Sequence, residues 1–216
     1  MRLLVTGGAG FIGSAVVRQA VGAGHDVMNV DKLTYAACLA NVASVADGPG
    51  YAFLEADICD RAAMDKAFAD FQPDAVMHLA AESHVDRSFS DAIVTVRNNI
   101  ESMVQVLEAC KNHLGLVRLL HMSTDEVYGD LHTADTGPAV ETDEMRPTNP
   151  YAASKGGCEL LALSYWRSYR LPVVIARGNN VYGPHQAVDK VVPKFILHTM
   201  RGEACPVHGD GNQLRS

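Results

Sequence analysis

The chain has 216 residues, a length that suits one domain, or one domain and part of a second. Its formal net charge is −7 with 20% charged residues, so a basic nucleic-acid-binding face is not expected. Hydrophobic residues make up 48% of the chain, which is enough for a sizeable core and excludes disordered and fibrous classes.

The five cysteines are widely spaced, and no pair has the Cys-x-x-Cys spacing. We therefore expect no disulfide framework and no metal site, but reduced thiols and a cytoplasmic location. No run approaches the roughly 18 apolar residues of a membrane-spanning helix. The apolar N-terminus is interpreted as a strand rather than a signal peptide, because a glycine loop and no clean cleavage site follow it.

Short apolar runs alternate with segments of helix length along most of the chain. Strands are predicted at residues 3–6, 26–30, 51–55, 75–79, 117–122 and 172–176, and helices at 11–21, 61–71, 92–114 and 149–169. Strands separated by helices indicate a parallel sheet with right-handed crossovers, and their continuous apolar character indicates a sheet covered on both faces. The fold class predicted is α/β with a doubly wound sheet.

The pattern changes after Gly178. A helix is predicted at 191–200 and a short strand at 205–208, with no closing element after them. We therefore expect residues 1–177 to form one domain and residues 178–216 to form the start of a smaller, incomplete substrate-binding domain.

A glycine-rich loop follows the first predicted strand and opens the first helix. Its glycines, Gly7, Gly10 and Gly13, permit a tight turn, close approach of the backbone to a pyrophosphate and close packing of the helix. The amides at the helix N-terminus would then face the phosphates. A lone glycine pattern is often only a turn, but its place between strand and helix predicts a Rossmann-type dinucleotide-binding domain.

Asp31 ends the second predicted strand, 18 residues after Gly13. A carboxylate near this spacing accepts hydrogen bonds from an adenosine ribose and repels a 2′-phosphate, which favours NAD over NADP. Lys32 beside it weakens this preference slightly, and a solvated turn is the alternative. Asp57 and Ile58 follow the third strand, where they would contact the adenine; Asp57 is equally well explained as the cap of the helix at 61–71.

Tyr151 and Lys155 are four residues apart, which places them on one face of the helix at 149–169. A nearby ammonium stabilises a phenolate, so we expect the tyrosine to act as a base near neutral pH. The same spacing is common on amphipathic helices, and it gains value only together with the glycine loop.

Thr124, Asp125 and Glu126 follow the fifth predicted strand, at the edge where open α/β sheets bind ligands. Placing two adjacent acidic residues at this edge would cost stability unless they are exposed or have a role in function. The alternative to a functional role is a solvated loop. With the other motifs, the pair is predicted to be a general acid and a general base. The Thr124 hydroxyl is expected to bond a substrate hydroxyl next to Tyr151.

Together these motifs resemble those of the nucleotide-sugar 4,6-dehydratases, within the extended short-chain dehydrogenase/reductase family. The resemblance spans nearly the whole chain. It rests on residues 31–35 (DKLTY), 78–88 (HLAAESHVDRS), 123–129 (STDEVYG), 149–155 (NPYAASK) and 179–184 (NNVYGP).

The resemblance implies roles for individual residues. The NAD site would be lined by Gly7, Gly10, Phe11, Ile12, Gly13, Asp31, Lys32, Thr34, Asp57, Ile58, Leu79, Ala80, Ala81, Ser83, Asn98, Tyr151, Lys155 and Asn180. The sugar-nucleotide site would include Ser83, Thr124, Asn179 and Arg215. Arginine suits the diphosphate because its guanidinium binds phosphate oxygens in pairs.

The implied activity is NAD-dependent dehydration of a nucleotide-activated glucose, with dTDP-glucose as the first candidate and UDP-glucose as an alternative. Tyr151 would take the proton of the 4-hydroxyl, Glu126 the proton at C5, and Asp125 would protonate the leaving 6-hydroxyl. Thr124 and Lys155 complete the catalytic set. One alternative is a nucleotide-sugar 4-epimerase, which the Asp125–Glu126 pair argues against. Another is an NAD-binding module without turnover, because family members continue well past Arg215.

The resemblance also implies a homodimer. The helices at 92–114 and 149–169 carry apolar residues on more than one face, whereas packing against the sheet alone would use one stripe. In the family these helices pair across a two-fold axis. No nucleic-acid or membrane partner is expected.

Overall fold

The computed structural model describes residues 1–129, 137–207 and 209–211. Its strands are β1 (Arg2–Thr6), β2 (Asp26–Asp31), β3 (Tyr51–Glu55), β4 (Ala75–His78), β5 (Arg118–Thr124) and β6 (Val173–Gly178). Its α-helices are α1 (Phe11–Gly22), α2 (Arg61–Phe71), α3 (Val85–Ser90), α4 (Ala92–Asn112), α5 (Pro150–Tyr169) and α6 (Val191–Arg201). Two 3-10 helices lie at Leu39–Val42 and Asp125–Tyr128.

The six strands of the described residues form one parallel sheet in the order β3-β2-β1-β4-β5-β6. This order places the first half of the chain on one side of β1 and the second half on the other. It is the order of the doubly wound dinucleotide-binding fold, so the predicted Rossmann-type α/β class is confirmed.

Alternate side chains of the strands supply two cores. Leu4 and Val76 belong to the core beneath α2, α4 and α5, whereas Leu3 and Val5 belong to the core beneath α1. Burying a side chain of this size stabilises the fold by roughly 1.5–3 kcal/mol. The two buried faces explain why the strands have continuous apolar sequences.

Side-chain caps fix where several helices begin. Asp60 caps α2, Asp91 caps α4 and Asn149 caps α5, in each case by accepting a backbone N–H of the first turn. Such a cap stabilises a helix by about 1 kcal/mol. The cap of α2 is therefore Asp60, and the alternative role predicted for Asp57 is wrong.

Two further predictions differ from the structure. The six-residue helix α3 was not predicted, because it is too short for a periodic pattern; His84 Nδ1 caps it by accepting the Arg87 N–H at 3.4 Å. The strand predicted at 205–208 is wrong, since residues 205–207 have no regular secondary structure and pair with no described strand. His208 lies outside the described residues.

Across the described ranges, none of the helices combines the length and the apolar character needed to cross a bilayer.

Candidate functional site

The candidate site lies at the carboxyl ends of the strands, beside β1 and β4. Successive connections leave β1 and β4 towards opposite sides of the sheet, which opens a crevice at this point. The glycine loop follows β1, residues 79–84 follow β4, and the Asp125–Tyr128 turn follows β5. The predicted cofactor and catalytic residues are thus brought to one sheet edge.

At two positions the glycine loop is packed too closely against neighbouring backbone to admit a side chain. A Cβ on Gly7 would lie 2.8 Å from the Ala80 backbone, and the φ of Gly7 is +74°. A Cβ on Gly13 would lie 2.1 Å from the Gly7 carbonyl oxygen. Both close approaches require glycine: the first lets the loop after β1 pack against the loop after β4, and the second lets the start of α1 pack against the loop itself.

The N-terminus of α1 is open to a ligand. Gly10 occupies the cap position, and no side chain of the described residues caps this helix end. The first turn contains Phe11 and Ile12 and no acidic residue. Its backbone amides and the helix dipole are therefore available to an anion such as a phosphate group.

Asp31 is buried at the end of β2 and faces the glycine loop. Its Oδ2 accepts the Ala9 N–H at 3.0 Å, and its Oδ1 accepts the Leu33 N–H at 2.9 Å. Each carboxylate oxygen has a further lone pair for a ligand hydroxyl. The two amides fix the carboxylate at the place where the sequence predicts the adenosine ribose.

Lys32 is paired with Asp57. The ammonium lies 3.1 Å from Asp57 Oδ2, and Asp57 Oδ1 accepts the Cys59 N–H at 2.9 Å. Burial raises the pKa of Asp57, but the amide of Cys59 and the charge of Lys32 outweigh it and hold that pKa below its usual value. The lysine that was expected to weaken the preference for NAD therefore has a carboxylate partner in the structure.

The loop after β4 is anchored at both ends. Thr6 Oγ1 accepts the N–H groups of Leu79 and Ala80 at 3.2 and 3.3 Å. Asn99, on α4, accepts the Glu82 N–H at 2.8 Å and donates to the Glu82 carbonyl at 3.1 Å. Between these anchors the backbone of Ala81 is fixed, and Ser83, which follows the second anchor, has an exposed side chain.

The predicted acid pair lies in the 3-10 turn that ends β5. Thr124 caps the turn by accepting the Glu126 N–H at 3.2 Å, and its hydroxyl donates to Asp125 Oδ1 at 3.2 Å. Asp125 and Glu126 are both partly buried. The turn brings one hydroxyl and two carboxylates together within three residues.

Tyr151, in the first turn of α5, faces this turn and is mostly buried. Burial, followed by the charge of Glu126, raises the pKa of Tyr151 to about 12, although a hydrogen bond with Thr124 acts in the opposite direction. In the protein without ligands, burial and two carboxylates therefore disfavour the phenolate, and the role of Tyr151 as a base near neutral pH stays a prediction for the ligand-bound protein. The contacts nevertheless place Thr124, Asp125, Glu126 and Tyr151 in one group.

Lys155, one turn along α5, is fully buried. Burial lowers the pKa of Lys155 to about 8, while Cys158 and Glu159 act in the opposite direction. Two stacked histidines, His78 and His121, lie near it, with ring centroids 5.3 Å apart. Burial and then the Lys155 charge lower the pKa of His78 to about 3 and that of His121 further. Lys155 is therefore the charged member of a cluster whose imidazoles stay neutral.

A buried ion pair supports the back of the site. Glu159 on α5 accepts Arg177 Nη2 at 2.7 Å and Arg177 Nε at 3.0 Å, and it also accepts the Ser123 hydroxyl. Arg177 Nη1 donates to the Tyr128 hydroxyl at 2.6 Å. This network joins β5, the 3-10 turn, α5 and β6 directly behind the acid pair.

Two asparagines of the site were not predicted to have a role. Asn99 donates to the Ser154 hydroxyl at 2.8 Å as well as holding Glu82, and Asn149 donates to Glu126 Oε2 at 2.9 Å. The sequence contains a signal for each. Asn99 shares a 3.6-residue period with the buried Thr95 and Ser102, whereas an asparagine before a proline is typical of a helix cap.

The other predicted residues are placed as follows. Ile58 is buried in the core beneath α2 and α4, Thr34 and Asn98 are half-buried, and Asn179 and Asn180 are exposed after β6. Arg215 lies outside the described residues.

An open cleft of about 460 Å³ adjoins the loop after β2. It is lined by Tyr35, Cys38 and Arg87 together with residues 185–189. Arg87 stacks on the Tyr35 ring at 3.8 Å, and His84 Nε2 lies 3.0 Å from Asp189 Oδ2. These contacts connect the segment after β6 to the loops that carry the predicted cofactor residues.

The comparisons with known proteins agree with this geometry. The model of a family described as the NAD dependent epimerase/dehydratase family matches residues 3–216. A dTDP-glucose 4,6-dehydratase of Neisseria gonorrhoeae is 48% identical over 222 residues, which cover 99% of this chain and 64% of that protein. The chain thus spans less than two-thirds of the length of this relative.

Two solved structures have similar folds. A dTDP-glucose 4,6-dehydratase from Streptomyces venezuelae, solved with NAD bound, has a TM-score of 0.92 and 41% identity, with 98% of this chain and 66% of that chain covered. A UDP-glucose 4-epimerase from Thermotoga maritima, solved with UDP-glucose, has a TM-score of 0.89 and 32% identity, with 98% and 67% covered. The fold alone therefore does not separate dehydration from epimerisation.

Proposed function

The chain belongs to the NAD dependent epimerase/dehydratase family, and from this premise we propose that it carries the cofactor site and acid–base residues of a nucleotide-sugar 4,6-dehydratase. The proposed substrate is a nucleotide-activated glucose, with dTDP-glucose the first candidate. The observation that carries the proposal is the turn of Thr124, Asp125 and Glu126 facing Tyr151. A dehydration needs an acid and a base in addition to the alcohol-oxidising tyrosine.

The residues of the β1 edge fit NAD. The open first turn of α1 suits a pyrophosphate, since a Cβ on Gly10 would meet only the Gly7 carbonyl oxygen, at 3.3 Å. Asp31 would hold the adenosine ribose, and the loop from Leu79 to Ser83 would hold the nicotinamide half, together with the other cofactor residues predicted above. Bound NAD supplies a hydride acceptor for C4 of the sugar and a hydride donor for C6.

Oxidation at C4 requires removal of the hydroxyl proton, and we assign this to Tyr151. Because the pKa of Tyr151 is about 12 without ligands, the phenolate needs a nearby positive charge to be favoured in the ligand-bound protein. The buried ammonium of Lys155 is one turn away on the same helix. The Thr124 hydroxyl would hold the substrate hydroxyl in place.

Water loss from C5 and C6 is assigned to the acid pair. The 4-ketone acidifies the C5 proton, which Glu126 removes, and Asp125 protonates the 6-hydroxyl as the C6–O bond breaks. The products of this step are water and a C5–C6 double bond. Reduction at C6 and return of a proton to C5 complete the 4-keto-6-deoxy sugar.

A 4-epimerase is the second candidate, favoured by the similarity to the epimerase of Thermotoga maritima. Epimerisation needs only oxidation and reduction at C4, so it leaves Asp125 and Glu126 without a chemical role. An NAD-binding module without turnover is a further alternative. The assay below separates the three.

The domain roles and location belong to the same proposal. Residues 1–177 would bind NAD, and residues 178–216, with Asn179 and Arg215, would contribute to the sugar-nucleotide site. The five cysteines are all free thiols, which supports a reducing compartment such as the cytoplasm.

A homodimer is proposed through the outer faces of α4 and α5. Ile93, Leu160 and Trp166 are 80%, 63% and 45% exposed there, while the opposite faces of both helices pack into the core. Large apolar side chains exposed along two neighbouring helices are typical of a protein–protein interface.

The experiment mixes NAD-loaded protein with dTDP-glucose and, separately, UDP-glucose. A 4-keto-6-deoxy product, seen by its alkaline ultraviolet absorbance, supports dehydration, and a 4-epimer supports the epimerase. In stopped flow, Tyr151→Phe should give no NADH signal, whereas Asp125→Asn and Glu126→Gln should form NADH but slow product formation by roughly 10²–10⁴-fold. NAD binding without either product would contradict both enzyme proposals. Equal loss of NADH formation in Tyr151→Phe and Glu126→Gln would contradict the division of roles.

A further inference from the structure

Asn149 joins the catalytic helix to the acid pair. Its Oδ1 accepts the Ala152 N–H at 2.8 Å and so caps α5 two residues before Tyr151. Its Nδ2 donates to Glu126 Oε2 at 2.9 Å, across 23 positions of sequence. One planar amide therefore has one end fixed by the helix and the other on the carboxylate proposed to take the C5 proton.

The two contacts determine the orientation of the amide. Oδ1 can only accept and Nδ2 can only donate, so one arrangement satisfies both a helix N–H and a carboxylate. Because Oδ1 is held by the first turn of α5, the position of Nδ2 follows from the position of the helix. Glu126 is held from its own side as well, since its N–H donates to Thr124 Oγ1 at 3.2 Å.

Capping alone does not require this side chain. Serine and aspartate cap helices about as well as asparagine does. Serine is shorter, however, and aspartate would present a second negative charge to Glu126. Of these three caps, only asparagine both reaches the Glu126 carboxylate and donates a hydrogen bond to it without adding a charge.

From this geometry we propose that Asn149 is a positioning residue for the elimination step, which holds the Glu126 carboxylate in register with Tyr151 on the same helix. The inference rests on the proposed dehydration and adds a residue to it. Asn149 touches neither the reacting atoms nor the cofactor in this assignment. It acts through Glu126, so its loss should slow removal of the C5 proton and spare oxidation at C4.

The test uses NAD-loaded protein and dTDP-glucose, with Asn149→Ser as the principal variant. Serine keeps the cap and lacks the reach to Glu126. We expect NADH to form at a rate within about twofold of wild type, product formation to fall by roughly tenfold or more, and NADH therefore to accumulate. Asn149→Asp, which keeps the cap and adds a like charge, should show a larger fall in product formation.

Two further variants separate positioning from folding. Asp60→Ala removes the cap of α2 away from the acid pair; it should lower the melting temperature without accumulation of NADH. The double variant of Asn149→Ser and Glu126→Gln should be no slower than Glu126→Gln alone, because a residue that acts only through Glu126 has no effect once that carboxylate is gone.

The outcomes distinguish this inference from the proposal beneath it. If wild type forms no 4-keto-6-deoxy product, the result contradicts the proposed dehydration and, with it, the role of Asn149. If wild type is active but Asn149→Ser slows NADH formation and product formation equally, or adds its full effect to Glu126→Gln, the positioning role alone is overturned.

Discussion

At the scale of single residues, the proposed preference for NAD over NADP rests on two neighbouring residues of opposite charge, Asp31 and Lys32. Asp31 would repel a 2′-phosphate, whereas Lys32 would attract one were it not paired with Asp57 at 3.1 Å. Lys32 and Asp57 are both partly exposed, so solvent screens their interaction, which contributes roughly 0.2–1 kcal/mol.

Asp57→Asn should therefore release Lys32 and narrow the preference for NAD over NADP. An interaction of this size corresponds to a change of about 1.4- to fivefold in the ratio of the two dissociation constants. Titration of both cofactors by intrinsic fluorescence or calorimetry measures it, with Lys66→Ala, a change in another exposed lysine–aspartate pair, as the control. A wild-type protein that binds both cofactors equally would contradict the roles of Asp31 and Asp57 together.

His121 gives a prediction about acid stability. Both its ring nitrogens are buried and have no hydrogen-bond partner among the described residues, and its pKa is lowered by burial, Lys155 and His78. Below pH 6.5 the histidine is protonated in the unfolded state but stays neutral in the folded state. Each such histidine therefore lowers the free energy of unfolding by about 1.4 kcal/mol for every unit by which the pH is lowered.

His121→Phe should remove the acid destabilisation that comes from this histidine. At pH 7 the change should lower the free energy of unfolding little, because the imidazole makes no hydrogen bond that could be lost. Urea unfolding at pH 7 and pH 5 should show a smaller drop in the free energy of unfolding than wild type shows. The same slope in both proteins would mean that His121 is not a neutral buried group. His78 is no equivalent target, since its Nδ1 lies 2.8 Å from Thr6 Oγ1.

At the scale of elements, the 3-10 turn with the acid pair is held by the side chains behind it. Glu159 is 1% exposed and Arg177 16%, and together they connect α5 and β6 to Tyr128 in the turn. Removing one partner of such a pair leaves a buried charge alone, at a cost of roughly 3–5 kcal/mol.

Arg177→Met should accordingly destabilise the protein by about 3 kcal/mol, and combining it with Glu159→Leu should recover most of that loss. Guanidinium unfolding of the single and double variants measures both values. If the double variant were as unstable as Arg177→Met, the loss would come from packing or from the Tyr128 contact rather than from the unpaired carboxylate.

The elements that the sequence predicts well are those that are long or have two buried faces. α4 and α5 fall within one or two residues of their predicted bounds, because each runs for at least 20 residues with no proline after its first residue. The helix α3 has less than two turns, and its limits depend on the caps His84 and Asp91. The predicted strand at 205–208 shows the converse, since an apolar run becomes a strand only where a neighbouring strand pairs with it.

The site divides in the same way. The glycine loop, the acid pair and Tyr-x-x-x-Lys are local in sequence, so sequence reasoning can find them. The contacts of Asn99 with Ser154, of Asn149 with Glu126 and of Glu159 with Arg177 join distant positions and could not be predicted, although helical period and capping point to the two asparagines themselves. The raised pKa of Tyr151 in the protein without ligands could not be predicted either, because burial and nearby charges depend on the folded surroundings.

At the scale of the whole molecule, one helix pair serves two surfaces. The inner faces of α4 and α5 cover the sheet through residues such as Met103, Leu107 and Ala162, and the outer faces carry the exposed apolar residues of the proposed dimer. Asn99 and Ser154 bond to each other between these helices, beside the loop that would hold the cofactor. Association through the outer faces would therefore support the two helices that position the site.

Leu160→Glu should convert the proposed dimer to a monomer. Leu160 is 63% exposed at the centre of α5, and a two-fold interface would bury it twice, so each glutamate would lose the roughly 1.5–3 kcal/mol of a buried leucine and bring a charge as well. Sedimentation at micromolar concentration should show wild type as a dimer and this variant as a monomer with an unchanged helical circular-dichroism signal. Leu114→Glu is the matched control, because Leu114 is fully exposed beyond the end of α4 and should leave the dimer intact. A monomeric wild type would refute the proposed interface, and a dimeric Leu160→Glu protein would place the interface on another face.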